Sequence, residues 1–255
     1  MLKMFDLTGK KAIVTGGGGG IGKGMALGLY KAGAELVLIG SSNKVENAAA
    51  EFNAIGTGPK VQWLRADLSD ESQIEPAFNK AVEMLGGTID ILVNNAGMNY
   101  RAPAEDYPKD KWDKIIQLNL TTPFLLCQLA GRIMLKKGKG KIINVCSLTS
   151  LMGGYTIPAY TASKGGIAQL TKDLANEWSG RGVNVNGVAP GYTDTELNTG
   201  LLNDPVRYRQ ITERIPAGRW GVPADFEGIA VYMASDASDY MCGAIVPICG
   251  AYLTR

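Results

Sequence analysis

Short apolar runs separated by longer stretches of helical spacing constrain this chain more than any other feature. The runs are Lys11–Thr15, Leu36–Ile39, Val61–Leu64, Ile91–Asn94, Ile142–Cys146, Val183–Ala189 and Ala244–Ile248. They are rich in β-branched residues and almost continuously apolar, as strands buried on both faces should be. Between them, residues such as Ile167, Leu170, Thr171, Leu174, Ala175 and Trp178 recur with the spacing of one helical face. Alternation of this kind predicts an α/β fold: a parallel, doubly wound sheet with helices on both faces. No linker, repeat or low-complexity stretch divides the 255 residues, so a single domain over 1–255 is expected.

Two regions break the regular pattern. Trp112 to Lys136 reads as one long helix, apolar almost all round, with Pro123 inside it as a site for a kink. A helix of that kind lies deep in a core or at a subunit interface. Residues 190–220 are polar and punctuated by glycine and proline, with a helix-like piece near Val206–Arg214. An insertion that long after a strand is more often functional than idle.

The first run ends in Thr15-Gly16-Gly17-Gly18-Gly19-Gly20-Ile21-Gly22 and is followed by a helix-like segment, Lys23 to Lys31. Glycines at 16, 20 and 22 allow a tight turn and close approach of backbone to a pyrophosphate at a helix N-terminus. The glycine pattern alone is weak, because five glycines in a row satisfy many templates. The strand before it and the helix after it carry the reading. Asp67 in Ala66-Asp67-Leu68 follows the third run, where a carboxylate can accept a hydrogen bond from an adenine amino group. Asn94-Asn95-Ala96-Gly97 closes the fourth, at the sheet edge where open α/β sheets bind ligands.

The chain contains no histidine, so the commonest acid–base side chain is missing. Tyr160 and Lys164 stand one helical turn apart and would share a face. A neighbouring ammonium favours the phenolate and lowers a tyrosine pKa. The pair Tyr107 and Lys111 has the same spacing, but Pro108 follows the tyrosine and nothing converges on it. Only the setting of Tyr160, with Ser147 upstream, marks it out.

Composition narrows the classes. Net charge is +2, and the one basic run, Lys136-Lys137-Gly138-Lys139-Gly140-Lys141, reads as a solvated helix end rather than a nucleic-acid footprint. The four cysteines have no metal-ligand spacing and there is no histidine, so no metal site is expected and reduced thiols are. No segment approaches the ~20 apolar residues of a membrane span, and Met1-Leu2-Lys3-Met4-Phe5-Asp6 has no signal-peptide core. A cytoplasmic protein acting on a small molecule, without nucleic-acid or membrane partners, is expected.

The TGxxxGxG run, NNAG, Asn119, Ser147, Tyr160 with Lys164, and Pro190-Gly191 occur in the order and spacing of the short-chain dehydrogenase/reductase family, which this chain resembles over essentially its whole length. The resemblance implies a single Rossmann-like domain with a seven-stranded parallel sheet. It implies hydride transfer between NAD or NADP and an alcohol or carbonyl, and commonly a homotetramer built on two long helices, here Trp112–Lys136 and Tyr160–Trp178. It assigns catalysis to Asn119, Ser147, Tyr160 and Lys164. Tyr160 would exchange the proton, Ser147 would bond the substrate oxygen, Lys164 would hold the ribose, and Asn119 would anchor a water. Cofactor contacts would come from Gly16, Gly20, Ile21, Gly22, Ser41, Ser42, Asp67, Leu68, Asn95, Ala96, Gly97, Tyr160, Lys164, Pro190, Gly191, Thr193 and Thr195.

At the end of the second run the chain offers Gly40-Ser41-Ser42-Asn43-Lys44, with no acid for a ribose and no arginine for a 2′-phosphate. NAD is the expected cofactor and NADP the alternative. Within the family the chain is similar to the sugar-acid dehydrogenases of the gluconate and 2-dehydro-3-deoxy-gluconate group. That similarity rests on Gly24-Met25-Ala26-Leu27-Gly28-Leu29, Ala175-Asn176-Glu177-Trp178 and Arg214-Ile215-Pro216-Ala217-Gly218-Arg219-Trp220-Gly221. Where a Val-Asp-Gly-Gly end is usual, this chain has Pro247-Ile248-Cys249-Gly250-Ala251. Substrate contacts would be Ser147, Tyr160 and Arg101, the last either a carboxylate's partner or a solvated loop arginine. The alternatives are reduction of another carbonyl, such as a 3-oxoacyl thioester, and a nucleotide-binding regulator without turnover.

Overall fold

The computed structural model describes residues 2–254; Met1 and Arg255, the two ends of the expected 1–255 domain, lie outside the described residues. The strands are β1 (Lys11–Thr15), β2 (Glu35–Gly40), β3 (Gln62–Arg65), β4 (Ile91–Asn94), β5 (Gly140–Val145), β6 (Val183–Pro190) and β7 (Ile245–Ile248). They form one seven-stranded sheet in the order β3-β2-β1-β4-β5-β6-β7, every neighbouring pair parallel. The Rossmann-like expectation holds. The sequence order reverses between β1 and β4, which opens a crevice at their carboxyl ends.

The helices are α1 (Gly20–Lys31), α2 (Lys44–Ile55), α3 (Glu71–Met84), α4 (Lys109–Ile116), α5 (Thr122–Lys137), α6 (Pro158–Trp178), α7 (Thr199–Leu202), α8 (Pro205–Glu213) and α9 (Glu227–Ala234). Alternate strand residues feed two cores, as the two-residue period of a strand requires. Val14 and Leu38 pack with Met25, Leu29, Phe226 and Met233 on the side of α1 and α9. Ile13, Val37 and Ile39 pack with Phe78, Leu126, Met134 and Trp178 on the side of α3, α5 and α6.

Two expectations need correction. The runs at Val61–Leu64 and Ala244–Ile248 are not buried on both faces, because β3 and β7 are the sheet's edges and alternate or remain half-exposed. Pro247 is tolerated in β7 because an edge strand bonds on one side only. The second concerns Trp112–Lys136, which is helical throughout but carries a π-helical turn within it. Residues Gln117–Thr121 form a π-helical turn between α4 and α5, immediately ahead of Pro123 in the first turn of α5. The irregularity therefore lies ahead of the proline, and Asn119 within it is buried.

A buried polar chain ties the sheet to α6. Asn94 donates to Asn144 at 2.9 Å and Asn144 donates to the Thr171 hydroxyl at 2.9 Å. These bonds join β4, β5 and α6, and so fix where α6 presents Tyr160 and Lys164.

Candidate active site

The carboxyl ends of β1, β4, β5 and β6 open into a cleft of about 890 Å³. Its first wall is the glycine turn. Gly16 has φ +64°, a left-handed conformation that L side chains rarely adopt. The turn is held by Thr15, whose buried hydroxyl accepts from the backbone N–H groups of Asn95 at 3.0 Å and Ala96 at 3.1 Å. The Asn95 amide returns the contact, donating to the carbonyls of Thr15 and Gly16, both at 3.1 Å. Helix α1 starts at Gly20, earlier than the expected Lys23, so Gly20 and Gly22 belong to its first turn. A Cβ on Gly22 would stand 2.2 Å from Asn95 Nδ2 and 2.4 Å from the Gly16 carbonyl. The turn thus needs glycine at 22 for its own closure, and it leaves the N-terminus of α1 facing the cleft. That is an anion cradle that fits a dinucleotide pyrophosphate.

The reacting end lies at β5 and α6. Ser147 follows β5 in extended backbone and caps the 3-10 turn Leu148–Ser150, accepting from Thr149 N–H at 3.2 Å. Helix α6 begins with Pro158 in its first turn, which places Tyr160 and Lys164 on the cleft side. Ser147 lies beside Tyr160 on the cleft wall and favours the ionised phenol. Lys164 is buried; its ammonium donates to the Val145 carbonyl at 2.6 Å and lies 5.7 Å from the Tyr160 ring centre. Burial pulls the Lys164 pKa down to about 8, with a smaller opposing push from Cys146.

Tyr160 departs from the expectation that its neighbour lowers its pKa. Burial pushes the phenol above its ordinary value, and Cys146 adds to this. The neighbouring Ser147 hydroxyl and the charge of Arg101 pull the other way. The ammonium of Lys164 is directed at a backbone carbonyl, and Arg101 adds a second positive charge on the cleft side.

Asn119 stands behind the cleft wall. Its Oδ1 accepts from Met98 N–H at 2.9 Å, and its Nδ2 donates to Met98 O at 2.9 Å and to Ser163 at 3.3 Å. Both ends of the amide brace the segment after β4, leaving one Oδ1 lone pair for the water that the resemblance implies.

Most of the expected positions line one continuous cleft. Gly16, Gly20, Ile21, Ser41, Ser42, Asn95, Ala96 and Gly97 form one end. Ser147, Tyr160, Lys164 and Arg101 form the other, with Pro190, Gly191, Thr193 and Thr195 between. Gly22, Asp67, Leu68 and Asn119 are not on its surface. Asp67 is occupied locally, its carboxylate accepting from the Ser69 hydroxyl at 2.7 Å and N–H at 3.0 Å, which holds its pKa below the usual range. Leu68 is buried and gives its carbonyl to Thr122 at 2.7 Å.

Sequence reasoning missed the far wall. Arg207 and Arg214, from α8 and its end, and Tyr252 from the carboxyl tail also line the cleft. The Arg214 guanidinium lies 4.6 Å over the Tyr252 ring, and Tyr252 packs against Tyr192 at 5.3 Å between ring centres. Ala251, beside it, has φ +68°. The one signal was the unusual end itself, which drew attention to the segment without saying where it goes.

Residues 10–205 match the short chain dehydrogenase family. This chain belongs to that family. It is a short-chain NAD(P)-dependent dehydrogenase/reductase acting on a CH–OH group. A 2-dehydro-3-deoxy-D-gluconate 5-dehydrogenase of Pseudoalteromonas atlantica is 46% identical, with 100% of each chain covered. A structure from Beutenbergia cavernae with NADP bound at low occupancy superposes with a TM-score of 0.95 at 39% identity, covering 99% of this chain and 100% of that one. A gluconate 5-dehydrogenase from Burkholderia cenocepacia, in complex with NADP and tartrate, superposes with a TM-score of 0.93 at 37% identity, covering 100% and 99%. Among the described residues, no helix of this short-chain dehydrogenase is long and apolar enough to cross a membrane.

Proposed function

We propose that this enzyme oxidises a secondary alcohol of a sugar acid to the ketone, with NAD as the preferred acceptor and a 2-dehydro-3-deoxy-D-gluconate type of substrate. The observation that carries the reading is the convergence of Ser147, Tyr160 and Lys164 beside the cation of Arg101 in one cleft. When bound, the oxidised dinucleotide takes up the hydride and brings a positive charge to the nicotinamide end.

The chain's own residues do the rest. Tyr160 receives the hydroxyl proton, and in the reverse direction returns it. Because burial holds the phenol above its ordinary pKa, it is a strong base once ionised, and further positive charge at the nicotinamide end would favour its ionisation. Ser147 donates to the substrate oxygen and stabilises the charge that develops on it. Lys164 exchanges its Val145 carbonyl for ribose hydroxyls. Asn119 keeps the segment after β4 in place and holds the water that passes the proton out. Thr193 and Thr195 fix the carboxamide face, and the segment 190–220 closes over the substrate.

Arg101, with Arg207 and Arg214 on the same cleft, favours an anionic substrate over a neutral alcohol. A relative that holds tartrate, itself a hydroxy acid, is consistent with that preference. We further take the enzyme to be a cytoplasmic homotetramer whose subunits pair along α5 and α6. A panel of sugar acids assayed with NAD and with NADP, following nicotinamide absorbance, tests the substrate and the cofactor together. Turnover of neutral alcohols at rates equal to the sugar acids would sink the substrate reading.

A further inference from the structure

The adenosine end of the cleft carries a charge pair that spans its two banks. Lys44, at the start of α2, forms an ion pair with Glu196, from the segment that follows β6. The partners are separated by 152 residues in sequence and both line the cleft. Their positions relative to the glycine turn are fixed on each side. The Lys44 Cβ is 2.9 Å from where a side-chain carbon on Gly18 would stand, and the Thr195 methyl is 3.2 Å from the same point on Gly20. The lysine and the residue before Glu196 therefore flank one turn, with Ser41 and Ser42 on the Lys44 bank.

A ribose 2′-phosphate brings about two negative charges, whereas a ribose 2′-hydroxyl brings none. Ser41 and Ser42 offer hydroxyls to either. Among the described residues lining this bank from Gly16 to Val45, Lys44 is the cation. Glu196 holds that cation and adds a negative charge of its own.

We infer that Glu196 is a specificity residue that disfavours NADP. It acts from the substrate segment rather than from the end of β2. A 2′-phosphate must displace Glu196 from Lys44 and remain beside its carboxylate, while NAD leaves the pair intact. The inference rests on the dinucleotide reading of the cleft and concerns only which dinucleotide fits better. Two phosphate charges within one ionic screening length of a carboxylate at a wet surface correspond to a discrimination of about fivefold to tenfold.

The test is calorimetric titration of the full chain with NAD and with NADP, at low and at high salt. Glu196→Gln should move the ratio of the two dissociation constants toward NADP by about fivefold to tenfold at low salt, and less at high salt. Lys44→Gln should move it toward NAD. A Glu196→Gln ratio changed by less than threefold, or changed toward NAD, overturns the inference. If the unmodified chain bound neither dinucleotide, the failure would instead lie in the reading of the cleft. Both side chains are substantially exposed, so loss of the fold does not stand in the way.

Discussion

Replacing Thr15 with valine removes one oxygen and leaves the shape of the side chain nearly unchanged. Thr15 is 1% exposed, and its hydroxyl serves two backbone donors, Asn95 N–H at 3.0 Å and Ala96 N–H at 3.1 Å. It also donates to the Val93 carbonyl at a longer 3.3 Å. A partly or fully buried donor left without an acceptor costs about 1–3 kcal/mol. Two such donors put the loss at about 2–6 kcal/mol, against the ~5–15 kcal/mol by which domains are stable, so a chain in the middle of that range still folds. Urea denaturation measures the loss directly. Thr15→Ser keeps the oxygen and should lose less than half as much. The same bonds hold Asn95 against the glycine turn, so dinucleotide affinity should fall in parallel in the valine variant. A Thr15→Val protein destabilised by under about 1 kcal/mol, or a serine variant as damaged as the valine one, would refute the view that this hydroxyl organises the turn.

The remaining predictions concern the reacting end and the tail. Tyr160→Phe should leave dinucleotide binding nearly intact and abolish most turnover; a variant with undiminished rate would contradict the proton-transfer role. Lys164 has its pKa drawn down to about 8 by burial, so between there and its unfolded value the folded chain has shed a proton that the unfolded chain still holds. Stability from this group therefore rises with pH, and wild type should gain about 1 kcal/mol over Lys164→Met between pH 7 and pH 9, a difference in which the other titrating groups cancel. A flat difference in paired denaturation curves would show that the ammonium is not desolvated. Ala251→Gly should stabilise, because the left-handed backbone at φ +68° costs alanine about 1–2 kcal/mol and the freer unfolded glycine returns ~0.4–1 kcal/mol of it. A melting temperature raised by about 1–3 °C is expected, and a fall would mean the alanine methyl is packed rather than strained.

The sheet was legible because its signal is local. Each of Ile13, Val37 and Val93 sits in a short β-branched run, and runs of that kind between helical stripes have few other ways to pack. What the runs could not say is which of them lie at the edge. Val61–Leu64 looks like its neighbours in sequence, and only the pairing order leaves it with one partner. The π-helical turn was invisible for a related reason: Gln117 to Thr121 has ordinary helical composition, and the partners of Asn119, Met98 and Ser163, are distant in sequence. Tyr160 and Lys164 were legible as a pair, but not the balance of forces on the phenol. That depends on Val145 taking the ammonium and on Arg101 arriving from a separate loop. The far wall was the least readable. Arg207, Arg214 and Tyr252 come together through long-range folding of the carboxyl tail, and no spacing in the sequence records it.

The widened turn at Gln117–Thr121 has a consequence for how this chain can change in length. It holds more residues than its span of helix needs, and α4 and α5 are each anchored beyond it. Deleting one residue there would take up that surplus and leave a regular α-helix, with α4 and α5 keeping the faces they now present. The loss would be local: Asn119 would no longer reach Met98 and Ser163 as it does now. Shortening this stretch by a single residue should therefore be absorbed by the fold and felt only where Asn119 braces the segment after β4.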